Sequence, residues 1–296
     1  MSDHPAAAGG GSRADGHRPG RLVVGCGYLG ERVARRWARA GDRVLAVTRR
    51  PARAAELTAS GLEGLVADVT GRDPAWIASL PPVNTVFWSV GFDRAAAATP
   101  HEVHVAGLGR LLDALASRPR VILSSSTGVW GDEGGDVVTE DTPTRPAREA
   151  GRVLLDAESL LRGHRLGPGV ALRFAGLYGP GRLPRLDDLR AGRPIAADPD
   201  SWLNLIHVDD AASIVCRVAA APAAAPLYVV SDGRPILRRD WYGRLAELTG
   251  SPPPSWDSTA PRTRGADKRV DPSLLARDVG LDLAFPDAIA AVAALV

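Results

Sequence analysis

Lysine is nearly missing from this 296-residue chain: of its 36 lysines and arginines, only Lys268 is a lysine. Any chemistry that needs an ammonium group therefore has a single position. Tyrosine is scarce as well, with four in the chain: Tyr28, Tyr178, Tyr228 and Tyr242. The two cysteines, Cys26 and Cys216, lie far apart and fit neither a metal nor a disulfide spacing. That usage suits a reducing compartment, and the cytoplasm is expected. No run of about 18 apolar residues exists, which excludes a membrane-spanning helix of the usual kind. No basic segment followed by an apolar one opens the chain, so no secretory signal is expected. The net charge is only +2, and the arginines are scattered among acids without interleaved aromatics. Neither a nucleic acid nor a membrane surface is expected as partner. A small molecule is, and no feature encodes an oligomeric state.

What is present is an ordinary globular balance, 45% hydrophobic and 24% charged. Residues 1–20 are rich in Gly, Ala and polar types and are expected to be a disordered tail. Short apolar runs then alternate with helical spacing. Strands are expected at Leu22–Gly25, Val44–Thr48, Leu65–Val69, Thr85–Val90, Val121–Ser126 and Val170–Tyr178. Helices are expected at Tyr28–Ala40, Pro51–Ser60, Thr99–Ser117 and Arg148–Arg162. Continuous apolar strands between helices predict an α/β fold: a doubly wound parallel sheet of Rossmann type over residues 21–178. Beyond Tyr178 proline and glycine become frequent. Two apolar segments (Leu203–Val208, Leu227–Val230) and helices at Asp209–Ala220, Arg238–Leu248 and Pro286–Leu295 predict a smaller C-terminal lobe over 179–296, packed on the first. Pro252–Pro254 and Thr263–Gly265 carry loop chemistry.

Gly25-Cys-Gly-Tyr-Leu-Gly30 matches G-x-G-x-x-G between a predicted strand and a predicted helix, the context that gives the motif meaning. Gly25 makes the tight turn, Gly27 lets backbone approach a pyrophosphate, and Gly30 lets helix and strand pack. Tyr28 and Leu29 complete the loop, and the helix N-terminus offers free N–H groups to phosphate. NAD sites carry an acid about 20 residues further on. Here that place holds Thr48, Arg49 and Arg50. A hydroxyl and two guanidiniums suit a 2′-phosphate, so NADP is expected, with NAD as the other option. Asp68 and Val69 end the third strand, where either an adenine contact or a cap or turn role fits Asp68. Val90 and Gly91 end the fourth strand at the expected cleft.

The chain resembles the extended short-chain dehydrogenase/reductase superfamily, which includes nucleotide-sugar epimerases and dehydratases. The resemblance rests on Gly25–Gly30, Asp68-Val69, Ser124-Ser-Ser-Thr-Gly-Val-Trp-Gly131, Leu172-Arg-Phe-Ala-Gly-Leu-Tyr-Gly-Pro-Gly-Arg182 and His207-Val-Asp-Asp210. It implies a catalytic hydroxyl at Ser126, with Ser124 beside the cofactor. It also implies a Tyr-x-x-x-Lys pair on the next helix, where a cation makes a phenol competent at neutral pH. This sequence has no such pair. Four residues after its tyrosines come Arg32, Arg182, Asp232 and Ala246. Matching Glu158 to the family's acid puts Ala150 at the Tyr position and Leu154 at the Lys position. Gly176 replaces an Asn, and Trp130 stands where a Tyr is usual. The pattern resembles an atypical branch of the superfamily.

Other groups are candidates for the chemistry. Ser126 either hydrogen-bonds a substrate oxygen or caps backbone. Tyr178 with Arg182 is the one Tyr-plus-four cation pair near the cleft, although the intervening Gly-Pro-Gly favours packing for the phenol. Arg182 and Trp130 are candidates for substrate binding. His207, before Asp209 and Asp210 at a helix start, could act on substrate, but a structural role is the preferred reading. His104 lies on the inner face of its helix if that helix packs as in the family, and a satisfied core imidazole is its preferred reading. Lys268 and Arg269 either reach an acidic substrate or, the preferred reading, form a solvated pair. The sequence thus predicts an NADP-preferring oxidoreductase or epimerase/dehydratase-like enzyme with a non-standard proton donor and a carbonyl or hydroxyl substrate, nucleotide sugars included. The alternative is a non-catalytic module that holds NADP(H) and reports redox state.

Overall fold

The computed structural model describes residues 20–71, 75–93, 95–167, 169–257 and 267–296. The predicted tail, except Gly20, and the predicted loop Thr263–Gly265 lie outside them. Seven parallel strands form the main sheet: β1 (Gly20–Val24), β2 (Arg43–Thr48), β3 (Glu63–Val66), β4 (Thr85–Trp88), β5 (Arg120–Ser126), β6 (Val170–Phe174) and β7 (Leu227–Val230). Their order is β7-β6-β5-β4-β1-β2-β3. The direction of winding reverses between β1 and β4, so a crevice opens beyond the carboxyl ends of those two strands.

Alternation along each strand feeds two cores, one per face. Val23, Phe87, Ile122 and Leu172 pack with Val33 and Trp37 of α1 (Gly30–Arg39), while Leu22, Val24, Val86 and Leu123 face the other way. Helix α2 (Pro51–Ala59) starts with its proline in the first turn, where a missing N–H costs nothing. The second core takes Leu108, Leu111 and Leu112 from α3 (Gly107–Ala114), and Ala157 and Leu161 from α4 (Glu149–Gly163). Helix α5 (Val208–Ala220) lies beside α1 on the first face. A third core gathers Tyr178, Leu205, Ala288 and Val292 around Trp241 and Leu245 of α6 (Arg238–Thr249). Among the described residues no helix is long and apolar enough to cross a membrane.

Several elements differ from expectation. The apolar run Val170–Tyr178 is two strands, because the chain leaves the sheet at Ala175 and Gly176–Tyr178 pairs in parallel with Leu205–His207. A hydrophobic run records burial, not which neighbour supplies it. Leu203–Val208 likewise breaks at Asn204, whose side chain bonds other backbone. Leu227–Val230, expected in the smaller lobe, is the seventh strand of the main sheet, paired with β6. The third strand ends at Val66, so Asp68 and Val69 lie beyond it. The predicted helix Thr99–Ser117 contains a wider π turn at Glu102–Ala106 before α3, and the closing helix shortens to Ala288–Val292 behind an Asp287 cap.

Candidate functional site

The glycine loop turns out of β1 with Gly25 at φ +92°, a conformation that disfavours any side chain. A Cβ there would also meet the Ser89 carbonyl at 2.5 Å, and one at Gly30 would meet the Gly25 carbonyl at 2.2 Å. A Cβ at Gly27 would meet nothing within 4 Å. The loop is thus held tight on its protein side and open on the other. Tyr28 and Leu29 direct backbone N–H groups to no backbone acceptor among the described residues, and α1 has no side-chain cap. Free donors and the positive end of the helix dipole fit a pyrophosphate.

The sites predicted around this loop converge on the same edge. The Thr48 hydroxyl accepts the Arg50 N–H at 3.4 Å, and Arg50 precedes α2 with its side chain exposed. Arg49 pairs in the open with Asp93 at 3.0 Å. Asp68 accepts the Thr70 N–H and hydroxyl. Burial opposes ionisation of Asp68, but those two bonds with Arg49 and Arg110 outweigh it and hold the carboxyl below its usual range. The Val69 carbonyl accepts from Arg110 at 2.6 Å. β4 ends at Trp88, so Val90 and Gly91, expected to end it, lie just beyond it past Ser89.

Two cavities lie past the end of β5, and Ser124 and Ser125 line both. The smaller, about 230 Å³, reaches towards Val90, Ala150 and Leu154. The larger, about 630 Å³, is walled by Ser126, Trp130, Arg182, Trp202, Asn204 and Lys268. The Ser125 hydroxyl donates to Glu158 at 2.6 Å, and Glu158 is locked with Arg173 at 2.7 Å in a buried pair. Ser126 accepts the Gly128 N–H at 3.1 Å, so its own proton is left for another acceptor. Trp130 donates its indole N–H to the Thr142 carbonyl and supports the Arg173 guanidinium 4.6 Å above its ring.

Charge in the larger cavity is one-sided. Arg148, Arg182, Arg185, Arg238 and Lys268 line it against a single acid, Asp132. Lys268, expected to be solvated, is 4% exposed. The reason is Asn204: its amide donates to the Lys268 carbonyl at 2.8 Å and accepts the Val270 N–H at 2.9 Å, while Asp267 accepts the Trp202 N–H at 2.8 Å. This clamp turns the lysine inwards, where among the described residues the ammonium reaches only the carbonyls of Trp130 and Gly131 at 3.5 and 3.4 Å. Burial, with Arg238 adding to it, pulls its pKa down to about 8. Arg238 is also buried and bonds neutral acceptors, the Ser201 hydroxyl and the Trp202 carbonyl. Arg185 takes a left-handed backbone at φ +62°, alone among the described non-glycine residues. Strain of that kind concentrates at functional sites.

Of the residues predicted for catalysis or substrate binding, two line neither cavity. Tyr178 is fully buried between His207 and Trp241, and burial together with nearby acids raises its pKa. His207 accepts the Asp209 N–H to cap α5 and stacks 3.7 Å from Phe285, and burial lowers its pKa. Tyr28 stays at the loop, its ring flanked by Arg32 and Arg182 at 4.4 and 5.3 Å. Arg148, Arg185 and Arg238 escaped sequence reasoning, because an arginine-rich chain offers no contrast to single them out.

Comparison with known proteins agrees with the geometry. The profile of the NAD dependent epimerase/dehydratase family matches residues 21–230. Protein YeeZ of Escherichia coli K12 is 35% identical over 191 residues, covering 63% of this chain and 66% of that protein, just under two thirds of its length. Short-chain dehydrogenase/reductase family 42E member 1 of Danio rerio is 31% identical over 178 residues, covering 50% of this chain and 46% of that protein. A functionally unknown conserved protein from Silicibacter pomeroyi superposes with a TM-score of 0.75 at 27% identity, over 94% of this chain and 98% of the other.

Proposed function

Since the chain belongs to the NAD-dependent epimerase/dehydratase family of extended short-chain dehydrogenase/reductases, we propose that it moves a hydride between a nicotinamide cofactor and a small polyanionic substrate. NADP is the preferred cofactor and a nucleotide sugar the substrate class. The cofactor's diphosphate rests on Gly25–Gly30, and Arg49 and Arg50 take the 2′-phosphate. When bound, the nicotinamide supplies hydride chemistry and the protein supplies orientation.

The observation that carries the substrate class is the pair of buried cations, Lys268 and Arg238, facing the larger cavity. Neither has a carboxylate within ion-pair distance among the described residues. Burying charge without a partner is unfavourable by several kcal/mol. A diphosphate would compensate it, with Arg182 and Arg185 at the mouth. The Ser126 hydroxyl then donates to a substrate oxygen, and Trp130 closes the floor.

Calorimetric titration with NADP⁺, NADPH and NAD⁺ tests the cofactor. NADP⁺ should bind more tightly than NAD⁺, and Arg49→Ala should erode the difference roughly 10-fold or more, the worth of a charge-assisted bond. If no pyridine nucleotide binds, the reading fails. A second reading, an NADP(H)-holding redox sensor without turnover, is supported by Ala150 and Leu154 at the positions of the missing pair. It predicts no consumption of NADPH against any carbonyl or sugar nucleotide.

A further inference from the structure

The smaller cavity is shaped by the loss of the Tyr and Lys. Ala150 and Leu154 form one side of it, with Ser124 and Ser125 at its inner end and Val90 beside them. Small and apolar side chains leave room and no proton carrier on that side. His104 lines the same cavity. It is the one titratable side chain that does so, it is half-buried, and its imidazole has no hydrogen-bond or ion-pair partner among the described residues, which leaves its ring nitrogens to water or a ligand.

The backbone around it is also unusual. His104 sits inside the π turn Glu102–Ala106, where the Gly107 N–H donates to the Glu102 carbonyl five residues back. Such insertions occur often at functional sites. Behind the serines the nearest charges are the mutually compensated Glu158 and Arg173. No acid or base from β4, β5 or α4 lines the cavity to hold the imidazole charged. Burial alone lowers its pKa, so it is neutral at pH 7 with a lone pair free to accept. Lys268 lines only the larger cavity, and Tyr178 lines neither.

We propose that His104 is the proton-transfer group of this protein, acting from the π turn across the space that Ala150 and Leu154 leave open. The proposal rests on the cofactor reading above. In the oxidative direction the imidazole takes the proton of a substrate hydroxyl. The carbon bearing that hydroxyl gives its hydrogen with the bonding pair to oxidised nicotinamide, and a carbonyl forms. In the reverse direction the imidazolium returns the proton to the carbonyl oxygen as the carbon receives hydride from reduced nicotinamide. Ser124 and Ser125 end between the two cavities, so a substrate anchored in the larger one reaches the histidine past them.

Full-length protein labelled with ¹³C at the imidazoles tests this. The chain has six histidines, and His104→Gln assigns the signal by its loss. The His104 pKa should lie below the ordinary value. It should fall further with NADP⁺ than with NADPH, because only the oxidised nicotinamide ring is cationic. His104→Gln should bind NADPH as the wild type does, yet lose about 100-fold or more of NADPH turnover against a carbonyl and sugar-nucleotide panel. His101→Gln, an exposed neighbour, should retain both. A pKa indifferent to the bound cofactor, or turnover retained in His104→Gln, overturns the proposal. A wild type that binds no pyridine nucleotide overturns the cofactor reading and this proposal with it, and titration alone tells that outcome apart.

Discussion

Asp232 shows how much one side chain can cost the fold. It follows β7 and is 6% exposed. One carboxylate oxygen accepts the Arg234 N–H at 3.0 Å, and the other has no partner. Burial pushes its pKa up to about 7, and Asp287 adds to the shift. A carboxyl raised above its unfolded value leaves stability intact at low pH and removes it as pH climbs from about 4 towards 7. Asp232→Asn keeps the shape and the accepting oxygen, though its amide nitrogen inherits the unpaired position. The variant should match the wild type near pH 4 and exceed it by about 4 kcal/mol at pH 8, the cost of ionising a carboxyl raised from its ordinary range to about 7. Urea titrations at the two pH values measure this. At the same scale, the glycine loop was legible because Gly25 takes a positive φ and Gly30 packs on the Gly25 carbonyl, both demands met within the motif. Lys268 was misread because its burial depends on Asn204, 64 residues away.

At the scale of elements, the approach of α4 to the segment after β5 shapes the site. Gly151 lies in the first turns of α4, and a Cβ there would meet the Gly128 carbonyl at 2.6 Å and Pro146 at 2.8 Å. Alanine normally favours a helix over glycine by up to about 1 kcal/mol. Here backbone would have to move, at a cost of about 1–3 kcal/mol, and the clash wins. Gly151→Ala should therefore lower the denaturation midpoint and displace Gly128, whose N–H anchors Ser126. A crystal structure with a melting curve would check both, and a stabilised variant would contradict the argument. Element types were legible from periodicity for the first six strands of the main sheet. The break at Ala175 and the π turn before α3 were not. The first is a change of pairing partner within one apolar run, and the second changes the helical pitch without changing which residues are apolar.

The whole molecule gathers Arg148, Arg182, Arg185, Arg238 and Lys268 along one cavity past the end of β5, and Lys268 tests what that arrangement is for. A buried lysine whose pKa falls to about 8 destabilises the protein below that pH. The penalty fades as pH rises from about 8 towards the ordinary 10.5. Lys268→Met should thus raise unfolding free energy by about 1–3 kcal/mol at pH 7. On the nucleotide-sugar reading proposed above, it should also weaken binding of a nucleoside diphosphate sugar roughly 10-fold or more, the loss of a charge-assisted bond. Thermal unfolding and calorimetry measure the two effects. Unchanged binding would remove the lysine from the site.

The strand–glycine loop–helix unit, the parallel sheet and the want of a Tyr–Lys pair were set by the sequence itself, because each depends on residue types at short, regular separations. The seventh strand, the inward turn of Lys268 and the space between His104 and Leu154 were decided by tertiary structure alone. They join segments dozens of residues apart, and pairing at that range is selected by the total packing of the chain, which no local pattern encodes.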